Sequence, residues 1–295
     1  MTLANKYRPT KFSDVCEQEV ICTVLNKQIE QGSYSHALLF AGPAGCGKTT
    51  CAKIFAKQID GEILELDCAS HNGVSDIKEI VEYAKVKSLI HNNKTIILDE
   101  CHTLTPQAWS SLLITLEENL PNAIFIFCTT DAQKIPNTII SRVQRFNFIP
   151  ISTNNMMTRL KTICNQESIK ISDEVLNLII KVSKGNLRQA LTNIDKCLLY
   201  GDFTEENVCK VLNICSTDIM TDLYNAFDYK DKTKIIDLIE SVYNNGYELH
   251  HFVRQFLDYS LTKTNLDLVE RLLVILQDIR YDDSPKNIII ARLII

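Results

Sequence analysis

Apolar residues recur along this chain in two rhythms. In its first half, short runs rich in β-branched and aromatic residues stand apart at Ala37–Ala41, Ile63–Leu66, Thr95–Leu98, Ile124–Cys128 and Arg145–Ile149. Their length and composition predict buried strands. Longer segments with helical spacing separate them, near Thr49–Ile59, Val74–Ile90, Thr105–Leu120 and Ile135–Arg142. Strand alternating with helix predicts an α/β domain built on a five-stranded parallel sheet over residues 1–150. The stretch TPQAWSSLLITLEE carries a clear start signal, with Thr105 as N-cap and Pro106 in the first turn. Ala108, Leu112, Leu113 and Leu116 then fall on one face, and Trp109, the single tryptophan, reads as packing.

After Pro150 the strand pattern gives way to a purely helical one. Residues 151–212 predict a small helical domain, with Ser172 as a helix start and Gly185 as a break. The Met156–Met157 pair belongs to its packing. Residues 213–295 predict a second all-helical domain, as in VERLLVILQDI. No repeat or low-complexity tract interrupts this organisation.

Composition fits a soluble globular protein: 295 residues, 45% hydrophobic and 23% charged. No apolar run approaches the length of a membrane span, and MTLANKYRPTKF lacks the apolar core of a signal peptide. The expected location is cytoplasmic, without a membrane partner. The 11 cysteines include no C-x-x-C pair, and several lie within apolar runs, so they read as small buried thiols rather than zinc ligands. The net charge of −5 provides no global attraction for nucleic acid. Any DNA contact must come from a local patch, because affinity follows the phosphates neutralised.

The chemistry-bearing stretch is FAGPAGCGKTTCAKIF. Residues Gly42, Pro43, Ala44, Gly45, Cys46, Gly47, Lys48 and Thr49 fit the phosphate loop G-x-x-x-x-G-K-T, and Thr50 follows. The loop leaves a predicted strand and opens a predicted helix. Its glycines let backbone N–H groups approach phosphate, and the helix N-terminus adds a favourable dipole. Lys48 is expected to reach the β- and γ-phosphates and Thr49 to hold Mg²⁺ through its hydroxyl. A second stretch, KTIILDECH, ends a strand in Asp99–Glu100. Asp99 suits Mg²⁺ coordination and Glu100 suits polarising an attacking water, which points to hydrolysis rather than storage. Thr129–Thr130 ends the strand IFIFCTT, and Ser141–Arg142 and Arg188 follow later. Taken alone, each arginine is an ordinary helix-end residue.

Together these elements resemble the AAA+ ATPases, and more narrowly the clamp-loader ATPase subunits. The likeness is greatest to bacterial DNA polymerase III gamma/tau and extends to the replication factor C small subunits. It rests on KYRPTKFSDV, HALLFAGPAGCGKTT, LDECHTLTPQAWSSLLITLEE, TTDAQKIPNTIISRVQRF and GNLRQAL, covering residues 5–200 strongly and the remainder more weakly. The resemblance implies an AAA+ domain, a helical lid over 151–212 and a helical collar for oligomerisation over 213–295. It places Tyr7, Arg8 and Pro9 before the adenine pocket. Thr130 falls at the sensor 1 position and Arg188 at sensor 2. It gives Arg142 a role in trans, on ATP held by a neighbouring subunit. ATP and Mg²⁺ are the implied cofactors. The implied partners are other loader subunits in a pentameric assembly, a sliding clamp and primer-template DNA.

The chain also departs from that family. Gly-Gln-Glu becomes Glu17-Gln18-Glu19, Ser-Arg-Cys ends in Val143, and a basic residue of the LLKTLEE helix is Ile114. The four-cysteine zinc module of bacterial gamma/tau is missing between the phosphate-loop helix and the next strand, so no zinc is expected, and the polymerase- and helicase-binding tail of tau has no counterpart. For DNA, the resemblance points to two helix starts, with Ser70, Asn72, Lys78, Thr105 and Gln107 as candidates; each is equally an ordinary capping residue. Tyr83–Ile90 is a candidate clamp contact or a helix packed on its own sheet. His250–His251 reads as no site. Two other readings share the nucleotide site: another DNA-processing AAA+ ATPase, for branch migration or initiator and helicase loading, and a largely structural loader subunit.

Overall fold

The structure is a computed structural model that describes every residue except Asn119, Asp282, Asp283 and Ile295, together with all side chains of the described residues but that of Tyr281. It divides into two compact units, Met1–Ile194 and Asp195–Ile295.

The first unit opens with α1 (Leu3–Lys6) and α2 (Glu19–Glu30), then alternates β1 (Ala37–Ala41), α3 (Lys48–Gln58), β2 (Gly61–Asp67), α4 (Val74–Lys85), β3 (Asn93–Asp99), α5 (Pro106–Glu118), β4 (Ala123–Thr129), α6 (Asn137–Ile140) and β5 (Gln144–Asn147). The strands form one parallel sheet in the order β2-β3-β4-β1-β5. β1 and β4 are buried along their whole length, as expected for inner strands covered on both faces. Alternate residues then serve two cores. Leu39, Ile96, Leu98, Phe125 and Phe127 face α4 and α5, while Leu38, Phe40, Ile97, Ile126 and Cys128 face α2 and α3. Trp109 lies in the first core, its ring 5.7 Å from that of Phe127.

Helices α7 (Thr153–Gln166), α8 (Asp173–Ser183) and the start of α9 (Leu187–Tyr200) complete this unit. Ser152 and Ser172 cap α7 and α8, and α8 ends on left-handed Lys184 and Gly185. Met156 is fully buried.

In the second unit, α10 (Glu205–Leu212), α11 (Thr217–Asp228), α12 (Lys232–Asn244), α13 (Leu249–Leu261), α14 (Leu266–Asp278) and α15 (Pro285–Ile294) follow the rest of α9. Thr204, Ser216, Asp231, Glu248 and Asn265 cap five successive helices through their side chains. The backbone N–H groups of His250 and His251 donate to the Glu248 cap. Leu223, Ile239, Phe252, Phe256, Leu272 and Ile289 are among the residues of one shared core.

Several predicted elements change in extent, and two helices, α1 and α2, lie where none was predicted. The helix predicted over Val74–Ile90 stops at Lys85. The Lys94 ammonium takes the Tyr83 carbonyl at 2.8 Å, Val86 turns extended, and Leu89 and Ile90 have no core to enter. The strand predicted to Ile149 stops at Asn147, because the Gln18 amide engages both backbone groups of Ile149. The helix predicted over Ile135–Arg142 is one turn behind Pro136. The helix predicted over Thr105–Leu120 begins at Pro106, with the Thr105 hydroxyl accepting from Ala108 N–H, and Glu118 is its last described helical residue; Asn119 lies outside the described residues. Between α3 and β2 only Ile59 and Asp60 intervene, so the chain passes directly from the phosphate-loop helix to the edge strand.

Candidate nucleotide site

The loop between β1 and α3 curls over the helix N-terminus. Gly42 N–H donates to the Thr129 carbonyl at 3.1 Å, fixing the loop to β4. A Cβ at Gly42 would lie 2.4 Å from the Phe148 carbonyl oxygen, and one at Gly45 would lie 1.8 Å from Asn186 Oδ1. Only glycine admits backbone so close to its neighbours. Lys48 is almost wholly buried, and its ammonium donates to the carbonyls of Gly42 and Pro43 at 2.8 Å each. The charge is thereby poised inside the loop, satisfied by two neutral acceptors that a phosphate can replace.

The Thr49 hydroxyl donates to Asp99 Oδ2 at 2.7 Å, and Asp99 Oδ1 accepts from Glu100 N–H at 3.0 Å. A hydroxyl and a carboxylate oxygen brought together at the end of β3 form the hard oxygen set that Mg²⁺ prefers, so these residues fit the ion. Glu100 adopts a left-handed backbone with φ of 48°, an uncommon state for a residue with a side chain and one found at functional turns. Its carboxylate accepts from the Thr130 hydroxyl at 3.0 Å and lies 3.4 Å from His102 Nδ1. His102 Nδ1 is also 3.2 Å from the Thr129 hydroxyl.

These groups open onto a cavity of about 320 Å³. Ala44, Gly45, Cys46, Gly47, Lys48, Thr49, Thr50, Asp99 and Glu100 form its phosphate end. Tyr7, Arg8 and Pro9 line it from the N-terminal segment, and Arg188 lines it from α9. Arg8 Nε donates to the Thr50 hydroxyl at 3.2 Å. The Tyr7 hydroxyl donates to the Glu167 carboxylate at the end of α7, and Lys6 pairs with the same group at 2.6 Å. The hydrogen bond from Lys6, then that from Tyr7, holds Glu167 below the usual carboxylate range. Burial raises the Cys46 thiol, which lines the cavity, and the Cys101 and Cys128 thiols beneath it in the core above their ordinary value, so near neutral pH they are protonated rather than nucleophilic.

Thr130 reaches the site through Glu100. Arg142 does not line this cavity: its guanidinium pairs with Glu117 at 2.7 Å and donates to the Thr138 carbonyl at 2.8 Å. Ser70, Asn72, Lys78 and Gln107 are exposed and Thr105 is half-buried. Thr105 N–H donates to the Asn72 carbonyl at 3.2 Å, which brings the starts of α4 and α5 together. Asn186, Ile151, Leu187 and Leu191, which no motif pointed to, also line the cavity. Asn186 caps α9 through Gln189 N–H, and its place beside Arg188 in GNLRQAL was the available signal.

The family described as ATPase family associated with various cellular activities (AAA) matches residues 38–151, and the RCF1/5-like AAA+ ATPase lid domain matches residues 158–194. The chain is 35% identical to DNA polymerase III subunit gamma/tau of Mycoplasma pneumoniae, over 86% of this chain and 41% of that protein. It is 32% identical to DNA polymerase III subunit tau of Bacillus subtilis, over 88% of this chain and 51% of that protein. It thus spans about half the length, or less, of these relatives. The solved Thermotoga maritima RuvB Holliday junction branch migration motor aligns with a TM-score of 0.59 at 19% identity, over 76% of this chain and 80% of that one, a likeness of fold. Residues 38–151 are therefore an AAA ATPase domain and residues 158–194 an RCF1/5-like AAA+ lid, in a chain homologous over most of its length to DNA polymerase III gamma/tau subunits.

Proposed function

We propose that this chain is an ATPase subunit of a sliding-clamp loader, coupling ATP binding and hydrolysis to clamp loading on primer-template DNA. The observation that carries the catalytic reading is the Thr49–Asp99–Glu100–Thr130 constellation, which sets a cation-binding oxygen pair beside a carboxylate oriented by a second hydroxyl. The loader reading is supported by similarity to gamma/tau subunits across both the AAA domain and its lid.

The phosphate loop binds the nucleotide through its backbone N–H groups, and Lys48 exchanges the Gly42 and Pro43 carbonyls for β- and γ-phosphate oxygens. Thr49 and Asp99 would hold Mg²⁺, which would supply neutralisation of phosphate charge. Glu100 accepts the proton of the attacking water as its oxygen bonds the γ-phosphorus and the bond to ADP breaks. Thr130 holds the Glu100 carboxylate and senses the γ-phosphate, Arg188 contacts nucleotide from the lid, and Arg142 serves a neighbouring subunit's site. Tyr7, Arg8 and Pro9 flank the base. Ser70, Asn72, Lys78, Thr105 and Gln107, at the paired starts of α4 and α5, face the DNA backbone. Exposed Val86, Leu89 and Ile90 beyond α4 offer an apolar contact for the clamp. Residues 213–295 serve assembly into a pentameric loader acting in the cytoplasm.

Glu100→Gln removes the base and keeps the shape. Nucleotide affinity is expected to stay within about twofold while turnover falls at least about a hundredfold. Wild-type turnover is measured alone and with loader partners, clamp and primed DNA, and stimulation is expected only with the full set. Undiminished turnover in Glu100→Gln overturns the catalytic assignment. Absence of stimulation overturns the loader reading.

A further inference from the structure

Glu17 occupies a left-handed backbone position, with φ of 69°. Glycine takes that conformation without strain and glutamate does not. The glutamate carboxylate is nonetheless engaged, through three hydrogen bonds to one of its oxygens. Its Oε2 accepts from Ser152 N–H at 2.9 Å, the Ser152 hydroxyl at 2.6 Å and Asn155 Nδ2 at 2.7 Å. Ser152 is the N-cap of α7, so the carboxylate also meets the positive end of that helix. These hydrogen bonds, led by the Ser152 hydroxyl, hold the Glu17 carboxyl below its ordinary pKa.

The next residue grips the same segment from inside. Gln18 is buried, its Nε2 donates to the Ile149 carbonyl at 2.7 Å, and its Oε1 accepts from Ile149 N–H at 3.3 Å. The same amide lies 3.5 Å from the Cys46 carbonyl in the phosphate loop. Two consecutive side chains thus hold the connection from β5 into the lid. The path continues from Ile151 N–H to the Gly185 carbonyl at 3.1 Å, one residue before Asn186, which abuts Gly45. Arg188 lies two residues beyond and lines the cavity.

We propose that Glu17 and Gln18 form a hinge clasp that holds the lid over the phosphate loop, making Glu17 a positioning residue for nucleotide binding through Arg188. The clasp rests on the reading of Arg188 as a nucleotide contact. It accounts for a strained glutamate where glycine is the easier choice: the carboxylate is needed for the lid, not for the turn.

Three substitutions at Glu17 separate this role from a structural one. Glu17→Ala removes the carboxylate and leaves the strained backbone. Glu17→Gly removes both the carboxylate and the strain, and Glu17→Gln keeps an acceptor. KM for ATP, kcat and thermal midpoint are measured for each, with Arg188→Ala alongside. The clasp requires KM to rise about fivefold or more in both Glu17→Ala and Glu17→Gly, with kcat within about twofold and Glu17→Gln intermediate. Glu17→Gly keeps a thermal midpoint at or above that of wild type, so its KM defect is not unfolding. Wild-type KM in Glu17→Gly, with Arg188→Ala impaired, overturns the clasp and leaves the Arg188 reading intact. Wild-type KM in both overturns both.

Discussion

At the scale of single residues, contiguous motifs were legible and paired contacts were not. Lys48, Thr49, Asp99 and Glu100 announce themselves because each sits in a short pattern whose backbone setting is local. The contact of Arg142 with Glu117 depends on how α5 and α6 meet, which spacing alone does not give. That contact bears on the proposed trans role. The two side chains are 37% and 53% exposed, and exposed pairs contribute at most about 1 kcal/mol. In the proposed trans role, a neighbour's phosphate would have only so weak a pair to displace from the guanidinium. Arg142→Ala is therefore expected to lower hydrolysis stimulated by partners, clamp and DNA by about 10³ while ATP affinity measured by titration stays near wild type. A parallel loss of affinity assigns Arg142 to its own subunit's site.

At the scale of elements, β1, β3 and β4 were readable because inner parallel strands are apolar on both faces, whereas the edge strands β2 and β5 showed only as short runs between helical segments. Their ends were less so: Gln18 stops β5 and Lys94 closes α4, each from a distant part of the chain. Helix α2 carries only Ile21, Cys22 and Leu25 as buried residues, a weak stripe in a largely polar segment. The junction of the N-terminal segment with α7 was equally hidden, since Glu167 lies 160 positions from Tyr7. Glu167 titrates below its ordinary range because of Lys6 and Tyr7. Its folded pKa is depressed, so its contribution to stability is present above about pH 4.3, the unfolded value, and is lost as pH falls through the folded one. Glu167→Gln should leave a shallower loss of thermal midpoint as pH falls below about 4.3 than wild type, because fewer protons are then taken up on unfolding. An unchanged slope assigns no linkage to this carboxylate.

At the scale of the whole molecule, two units with separate cores imply separable stabilities. Phe256 is buried within the core of residues 195–295, stacked 6.4 Å from Phe252. Phe256→Ala is expected to remove about 3–5 kcal/mol from that unit. Calorimetry should then show a transition moved to lower temperature, while nucleotide affinity of the first unit is retained; loss of both together means that the units unfold as one. The order β2-β3-β4-β1-β5 has a further consequence, in time rather than energy. β1 is the first strand synthesised, yet Ala37 pairs with Phe125 and Leu38 with Gln144. At roughly 5–20 residues per second, the hundred or so intervening residues take on the order of ten seconds to emerge from a ribosome. Throughout that interval the nascent strand Ala-Leu-Leu-Phe-Ala has neither neighbour, and the phosphate loop behind it has no floor. Shielding of this apolar segment during translation is therefore a requirement written into the strand order itself.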